Sequence, residues 1–203
     1  MSVRVLFYLC HAGGLADEFL AGPLDDFEAW CTTMRVEFPD DIEPTIPPLL
    51  RAVRATGHAA LRATTASEAE AIDRLMDTYF GDFCVLHARG LLREADGSSL
   101  RVDRYEGMFD RARGSLTGSA AWHLWNFMFT GRGVGRDEAA WPVRWKDRGF
   151  RLSWWTSEEV AVLHEAFETA PMPAAVDENA RESARQAIGR AYEDGSGLLI
   201  QVS

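Results

Sequence analysis

The hydrophobic pattern predicts a strand at each end of the chain. Residues 3–10 form an almost unbroken run of apolar and aromatic side chains, which is typical of a buried strand. Residues 198–202 form a second, mostly apolar run. A third strand is predicted where Phe150, Leu152 and Trp154 alternate with polar residues. We expect the first and last strands to pair as central neighbours in one sheet.

Helices are predicted between these strands, wherever apolar residues recur at three- and four-residue spacing. In the first half of the chain they cover residues 17–20, a segment from a cap at Asp25 or Asp26 to residue 32, residues 47–61, and a segment that a capping box at residues 67–70 opens and Gly81 closes. The four prolines of residues 39–48 predict a loop. Residues 91–102, which contain Asp96-Gly97, fit either a hairpin or a loop.

The second half of the chain carries three more helical patterns. Residues 119–130 are apolar nearly all round and end at Gly131, so this helix is expected in the core. A capping box at residues 156–159 opens the next helix, because its hydroxyl and its carboxylate can each satisfy an unpaired backbone amide. Asp177 is expected to cap the last helix and Gly195 to end it.

These elements predict an α+β fold. Strands at both ends with helices between them favour one sheet covered by helices. The expected architecture is a single helix-rich domain over residues 1–203, with helices packed on a small mixed sheet that includes the N- and C-terminal strands. A chain of this length fits one domain, and 47% hydrophobic residues are enough for a sizeable core.

The charge distribution bears on the partner. The formal net charge is -10, and residues 17–43 hold nine carboxylates and one base, Arg35. Nucleic acid and anionic membranes would be repelled, so neither is an expected partner. One interpretation of the acids is a solvated surface, and the alternative is a face that binds a basic protein. Six carboxylates make up this candidate face: Asp25, Asp26, Glu28, Asp40, Asp41 and Glu43.

Three cysteines, Cys10, Cys31 and Cys84, fit no disulfide framework, which favours a reducing cytoplasm. Cys84 precedes His87 at a ligand-like spacing, but a zinc site needs about four such ligands and paired C-x-x-C is missing. We therefore predict no metal and no cofactor. The N-terminal apolar run is too short for a signal peptide, and no stretch approaches the roughly 20 apolar residues that cross a bilayer.

The apolar helix carries a histidine that invites a catalytic interpretation, His123. It is either a core histidine with satisfied ring nitrogens or a base in a pocket floored by tryptophans. Two arginines in the glycine loop after the helix could hold an anionic group. This loop is not a nucleotide fingerprint, because it follows a helix and not a strand. The candidate pocket comprises His123, Trp122, Trp125, Asn126, Arg132 and Arg136, with Trp141, Trp145, Trp154 and Trp155 around it.

The same helix carries a family resemblance. Residues 121–131, AWHLWNFMFTG, resemble the Trp-to-Thr-Gly signature of the bacterial YfbM-like family, domain of unknown function 1877. Residues 149–160 and 187–202 are similar to a strand and helix and to the closing helix and strand of that family. The resemblance covers about residues 115–203, and the N-terminal third diverges from it. It implies a small α+β fold and no established activity, so no catalytic residue is carried over.

Two hypotheses of function follow, and whether the chain is an enzyme stays open between them. In the first, it is a non-catalytic binding module that engages a basic protein partner through its acidic face, as immunity-type or antitoxin-type proteins do. In the second, it is an enzyme or a small-molecule binder that uses the tryptophan-lined pocket around His123. A strongly salt-dependent interaction would favour the first, and an open cavity that reaches His123 would favour the second.

Overall fold

The protein is described by a computed structural model over residues 4–38, 42–88, 90–101, 103–105, 120–134, 151–169 and 177–202. The chain forms two compact units. The first, which we call the sheet unit, comprises residues 1–15, 93–132 and 140–203. The second, the helical unit, comprises residues 16–92 and 133–139. The expectation of a single domain stays a prediction.

The sheet unit is built on four described strands. They are β1 (Arg4–Cys10), β2 (Arg93–Arg101), β3 (Arg151–Trp155) and β4 (Gly197–Val202). Their order is β2-β1-β4-β3, so the N- and C-terminal strands are central neighbours, as predicted. The sheet was expected to be mixed, but every pairing of the described strands is antiparallel. The undecided segment of residues 91–102 supplies β2.

Three helices pack against one face of this sheet. They are α5 (Ala120–Thr130), α6 (Ser157–Thr169) and α7 (Glu178–Asp194). In the register of β1 and β4, Phe7 lies opposite Ile200, and both side chains join the apolar core of the unit. All six residues of β4 are buried, which explains why its sequence is almost wholly apolar instead of alternating. The predicted α+β fold is therefore confirmed.

The helix ends of the sheet unit follow their local signals. Thr156 and Glu159 form the predicted capping box at the start of α6. Asp177 caps α7 by accepting hydrogen bonds from the backbone amides of Asn179 and Ala180. Gly195 ends α7 in the left-handed conformation, at a φ of 66°. All three predictions are confirmed.

The helical unit contains α1 (Leu15–Ala21), α2 (Leu24–Glu37), α3 (Ile46–Thr56) and α4 (Ala66–Asp77). A 3₁₀ helix, Gly57–Leu61, follows α3, and a π-helix, Thr78–His87, follows α4. Aromatic rings fill its core: the centroid of the Tyr79 ring lies 4.9 Å from that of Phe19 and 5.1 Å from that of Phe27. Such edge-to-face pairs are favourable beyond the area they bury. No helix among the described residues has the length and hydrophobicity to span a membrane.

Two predicted helix starts in this unit are wrong. Asp25 and Asp26 do not cap α2, whose N-cap is Pro23 without a side-chain hydrogen bond. They lie in the first turn, where carboxylates are favoured by the helix dipole. The capping box of α4 is formed by Thr65 and Glu68, two residues before the predicted one. The hydrogen bonds from Thr64 and Thr65 lower the pKa of Glu68.

Gly81 does not end the helix after α4. The chain continues past it as the π-helix, which ends at His87. Phe80, Phe83 and Cys84 are all buried, so the apolar stripe of α4 continues into the core beyond the glycine. A glycine inside a helix costs about 1 kcal/mol, which the burial of these side chains offsets.

Candidate functional site

Trp125, one of the residues of the pocket predicted around His123, lies in the core of the sheet unit. Its side chain is 1% exposed and stacks on Trp155, with the ring centroids 5.8 Å apart. The indole N–H of Trp155 donates to the backbone oxygen of Leu124 at 2.8 Å. The two indoles therefore hold α5 against β3, a packing role that buried aromatic rings commonly have.

His123 and Asn126 lie on the exposed side of α5, and Trp122 is half-buried. Residues two apart on a helix do not face each other, so His123 and Trp125 cannot line one wall of a pocket. Three further members of the predicted site lie outside the described residues: Arg136, Trp141 and Trp145. Within the described part of the chain, the predicted pocket is therefore not assembled around His123.

Arg132 forms hydrogen bonds and an ion pair within the sheet unit. Its guanidinium donates to the carboxylate of Glu159 at 2.6 Å and to the backbone oxygen of Trp154 at 3.1 Å. It also lies 3.9 Å from the centre of the Trp154 ring, a cation–π contact. Arg132 thus ties the end of α5 to β3 and to the start of α6. Binding an anionic ligand there would require these contacts to be exchanged.

The glycine loop after α5 places Gly133 against a carboxylate. In the helical unit, a Cβ atom at Gly133 would stand 2.9 Å from Oδ1 of Asp73. Asp73 is 3% exposed, so its acidic group forms part of the surroundings of this loop. A phosphate at Gly133 would meet that acidic group at short range, which is unfavourable. The structure thus agrees with the sequence argument against a nucleotide loop.

The acidic face lies on the helical unit, and arginines from later helices reach it. Arg54 of α3 bridges two carboxylates of α2, Asp25 at 2.5 Å and Glu28 at 2.8 Å. Arg74 of α4 likewise pairs with Glu43 and also with Glu70, the latter at 3.1 Å. Because each arginine pairs with two carboxylates, each set of one arginine and two acids carries a net charge of -1.

The remaining acids of this face add to that excess. Asp26 is exposed and forms no ion pair with any described residue. Asp40 and Asp41 lie outside the described residues. The side chain of Asp25 is 94% exposed, and exposed ion pairs are worth about 1 kcal/mol at most. A cationic partner could therefore exchange with Arg54 at little cost.

Two cavities of the helical unit are lined entirely by described residues, and both use α2 and α3. The first has a volume of about 630 Å³ and is lined by Asp25 and Asp26 at the start of α2. The second has a volume of about 440 Å³ and is lined by Arg35 near the end of α2 and by Arg51 of α3. Sequence reasoning missed the second cavity, because its two arginines belong to different helices.

The three cysteines are buried thiols. Burial raises the pKa of Cys31 to about 12, and the nearby Glu28 acts in the same direction. Burial also raises the pKa of Cys84 to about 12, against the effect of its hydrogen bond with Tyr79. Neutral thiols are poor nucleophiles and poor metal ligands. No group of three or more acidic, histidine or cysteine side chains could hold a metal among the described residues.

A buried polar chain in the sheet unit also escaped the sequence analysis. The hydroxyl oxygens of Tyr105 and Ser183 lie 2.6 Å apart, and Ser183 donates to the carboxylate of Asp96. All three residues are buried. A satisfied network of this kind fixes the packing of β2 on α7. The Asp96-Gly97 pair had indicated only a turn, so nothing in the local sequence pointed to a buried carboxylate.

Comparison of the chain with protein-family models, with curated proteins and with solved structures finds no match. The resemblance of residues 115–203 to the YfbM-like family therefore stays a prediction.

Proposed function

We propose that the chain is a non-catalytic binding module that engages a basic protein partner through the acidic face of its helical unit. The face comprises Asp25, Asp26, Glu28 and Glu43, together with Asp40 and Asp41 of the same sequence cluster. Its role would be like that of an immunity-type or antitoxin-type protein. The proposal includes a cytoplasmic location, which three buried cysteine thiols outside disulfides favour, and membership of the YfbM-like family.

The observation that carries the proposal is the way in which the arginines are shared. Arg54 and Arg74 each bridge two carboxylates, so the acidic face keeps a negative excess after its internal ion pairs are formed. Residues 16–92 hold fourteen carboxylates and six arginines, and they therefore carry most of the net charge of -10. A charge concentrated on one surface accelerates the encounter with an oppositely charged partner and suppresses wrong partners.

The non-catalytic part of the proposal is supported by how the reactive side chains are used. Trp125 packs in the core and Arg132 is paired with Glu159. Cys31 and Cys84 are buried, and their pKa values near 12 keep both thiols protonated at neutral pH. These groups stabilise the two units, and their present contacts favour binding by the exposed charges over chemistry at these residues.

Charge reversal at the face tests the proposal. The wild-type protein is immobilised, basic proteins from a lysate of the source cells are retained at low salt, and the retained protein is purified for affinity measurements. We expect the dissociation constant to rise with salt. The double variant Asp25→Lys/Asp26→Lys should weaken binding at least about tenfold, since like charges across an interface are strongly unfavourable.

A matched control makes the same change of net charge elsewhere. Glu165→Lys/Glu193→Lys alters two exposed acids of the sheet unit and should leave the affinity near the wild-type value. If the partner binds both double variants and the wild type equally, or if its affinity does not depend on salt, the acidic face is not the binding surface.

A further inference from the structure

The second cavity of the helical unit has the construction of a ligand site. It has a volume of about 440 Å³ and lies between α2 and α3. Small-molecule sites typically measure about 300–1,000 Å³ and combine apolar walls with a few polar groups. The cavity thus has the size of a small organic ligand.

The inner walls of the cavity are apolar. Cys31, Ile46 and Leu50 form its closed floor, with side chains that are at most 3% exposed. Because the pKa of Cys31 is raised to about 12, its thiol is neutral and behaves as a small hydrophobic group. Pro47 is partly exposed and Val36 is 79% exposed at the cavity edge, so these two side chains supply the apolar surface that a ligand can reach. An alkyl or aromatic group would gain about 25 cal/mol for each Å² of apolar surface buried there.

Two arginines supply the charge. Arg35 and Arg51 both line the cavity, both are exposed, and neither forms an ion pair with a described residue. Glu28, the acid in the lining, is bound to Arg54 at 2.8 Å, and Thr32 donates its hydroxyl to the backbone of α2. With two arginines and one carboxylate in its lining, this opening keeps a net positive charge.

The donors at this opening are side chains. Pro47 lines the cavity, and neither it nor the following Pro48 has a backbone N–H. The start of α3 therefore offers no amide donor at these two positions. An anion would be recognised by the planar guanidinium groups, which bind a carboxylate with two parallel hydrogen bonds.

We propose that the cavity between α2 and α3 binds a small amphipathic carboxylate, with its apolar body against Pro47 and Val36 and its carboxylate on Arg35 and Arg51. The site goes beyond the proposed protein-binding function. Arg35 lies in the last turn of α2, whereas Asp25 and Asp26 of the partner face lie in the first turn. Glu28 belongs to both surfaces, but the two selected charges are opposite. Failure of one proposal therefore leaves the other standing.

Decanoate is a suitable probe, with decanol and decylamine as neutral and cationic analogues of the same chain length. Binding is measured by isothermal titration calorimetry below the micellar concentration of each compound. We expect decanoate to bind more tightly than decanol and decylamine to bind least. Arg35→Ala and Arg51→Ala should each weaken decanoate about tenfold, as expected for the loss of one charge-assisted contact.

Two further variants separate the site from general effects. Arg62→Ala removes an exposed arginine outside the cavity lining and should leave decanoate binding unchanged. Thr32→Trp should block the cavity and abolish binding while far-UV circular dichroism stays that of the wild type. The proposal is overturned if decanoate fails to bind, or if the double variant Arg35→Ala/Arg51→Ala binds decanoate like the wild type. It is also overturned if only an acidic peptide binds.

Discussion

Replacing Asp177 tests how one side chain joins helix capping to ion pairing. Its carboxylate accepts from the amides of Asn179 and Ala180 at 3.1 Å and binds Arg104 through two hydrogen bonds of 2.7 and 3.0 Å. Loss of a side-chain cap costs about 1 kcal/mol. The half-exposed pair adds up to about 1 kcal/mol. Asp177→Ala should therefore lower the free energy of unfolding by about 2 kcal/mol. Asp177→Asn retains a capping oxygen and should lower it by about 1 kcal/mol.

The same residue gives a pH dependence of known sign. Burial raises the pKa of Asp177, but the hydrogen bonds from Arg104 and Ala180 outweigh it, and the net pKa is lowered. A lowered pKa in the folded state contributes stability above the unfolded value of about 3.9, and this contribution is lost as the pH falls through the folded value. The gap in stability between the wild type and Asp177→Asn should therefore narrow in acid.

Urea denaturation followed by circular dichroism at neutral and acidic pH measures both effects. Equal losses for Asp177→Ala and Asp177→Asn at neutral pH would show that the cap contributes nothing separate from the charge. A gap between wild type and Asp177→Asn that stays constant down to acidic pH would refute the role assigned to the ion pair.

Two other predictions concern the glycines Gly14 and Gly195 and the buried cysteines. Gly195→Ala should lower the free energy of unfolding by about 1 kcal/mol, because φ is 66° and the added Cβ meets open space. Gly14→Ala should lower it distinctly more, because φ is 93° and the added Cβ would collide with the Trp154 ring. Equal losses for the two variants would contradict this reasoning. Cys31 and Cys84 should resist thiol reagents at neutral pH until the protein unfolds. Since their pKa values are raised to about 12, folding stability should fall as the pH rises above the unfolded thiol value of about 8.5.

Elements with a complete local signal could be predicted from the sequence. The capping residue Asp177 and the terminating Gly195 act within a few residues of themselves, and both lie where the sequence placed them. At α4 the local signal was ambiguous. Thr65 with Glu68 and Ser67 with Glu70 have the same Thr/Ser-x-x-Glu spacing, and spacing alone does not choose between them. The structure selects the first pair.

Strand β2 shows where local reasoning fails. Its sequence, READGSSLR, is charged and rich in small residues, and nothing in it has the apolar alternation of a strand. Among the described strands it lies at the edge of the sheet beside β1, where charged residues are common because they prevent further pairing. The strand exists because β1 supplies its partner, and β1 precedes it by more than 80 residues in the chain.

Within the described residues, the pocket predicted around His123 is not assembled, for a geometric reason. Trp122, His123 and Trp125 are close in sequence, which suggested a shared site. On a helix, His123 and Trp125 project in different directions, and only Trp125 reaches the core. Proximity along the chain therefore does not by itself place these side chains at one site. The helix was expected in the core, and its residues Trp125 and Met128 lie there.

The charge of the helical unit shows why composition could locate a candidate surface but not its details. The count of acids in residues 17–43 says nothing about Arg54 and Arg74. These arginines come from later helices, and each pairs with two carboxylates. Nor does it separate the two ends of α2, where Asp25 and Arg35 line different cavities. Because exposed charges act over about 10 Å at 0.1 M ionic strength, what a ligand meets at each end is set by the nearest few side chains. A chain with a net charge of -10 can therefore present a cationic site for a carboxylate.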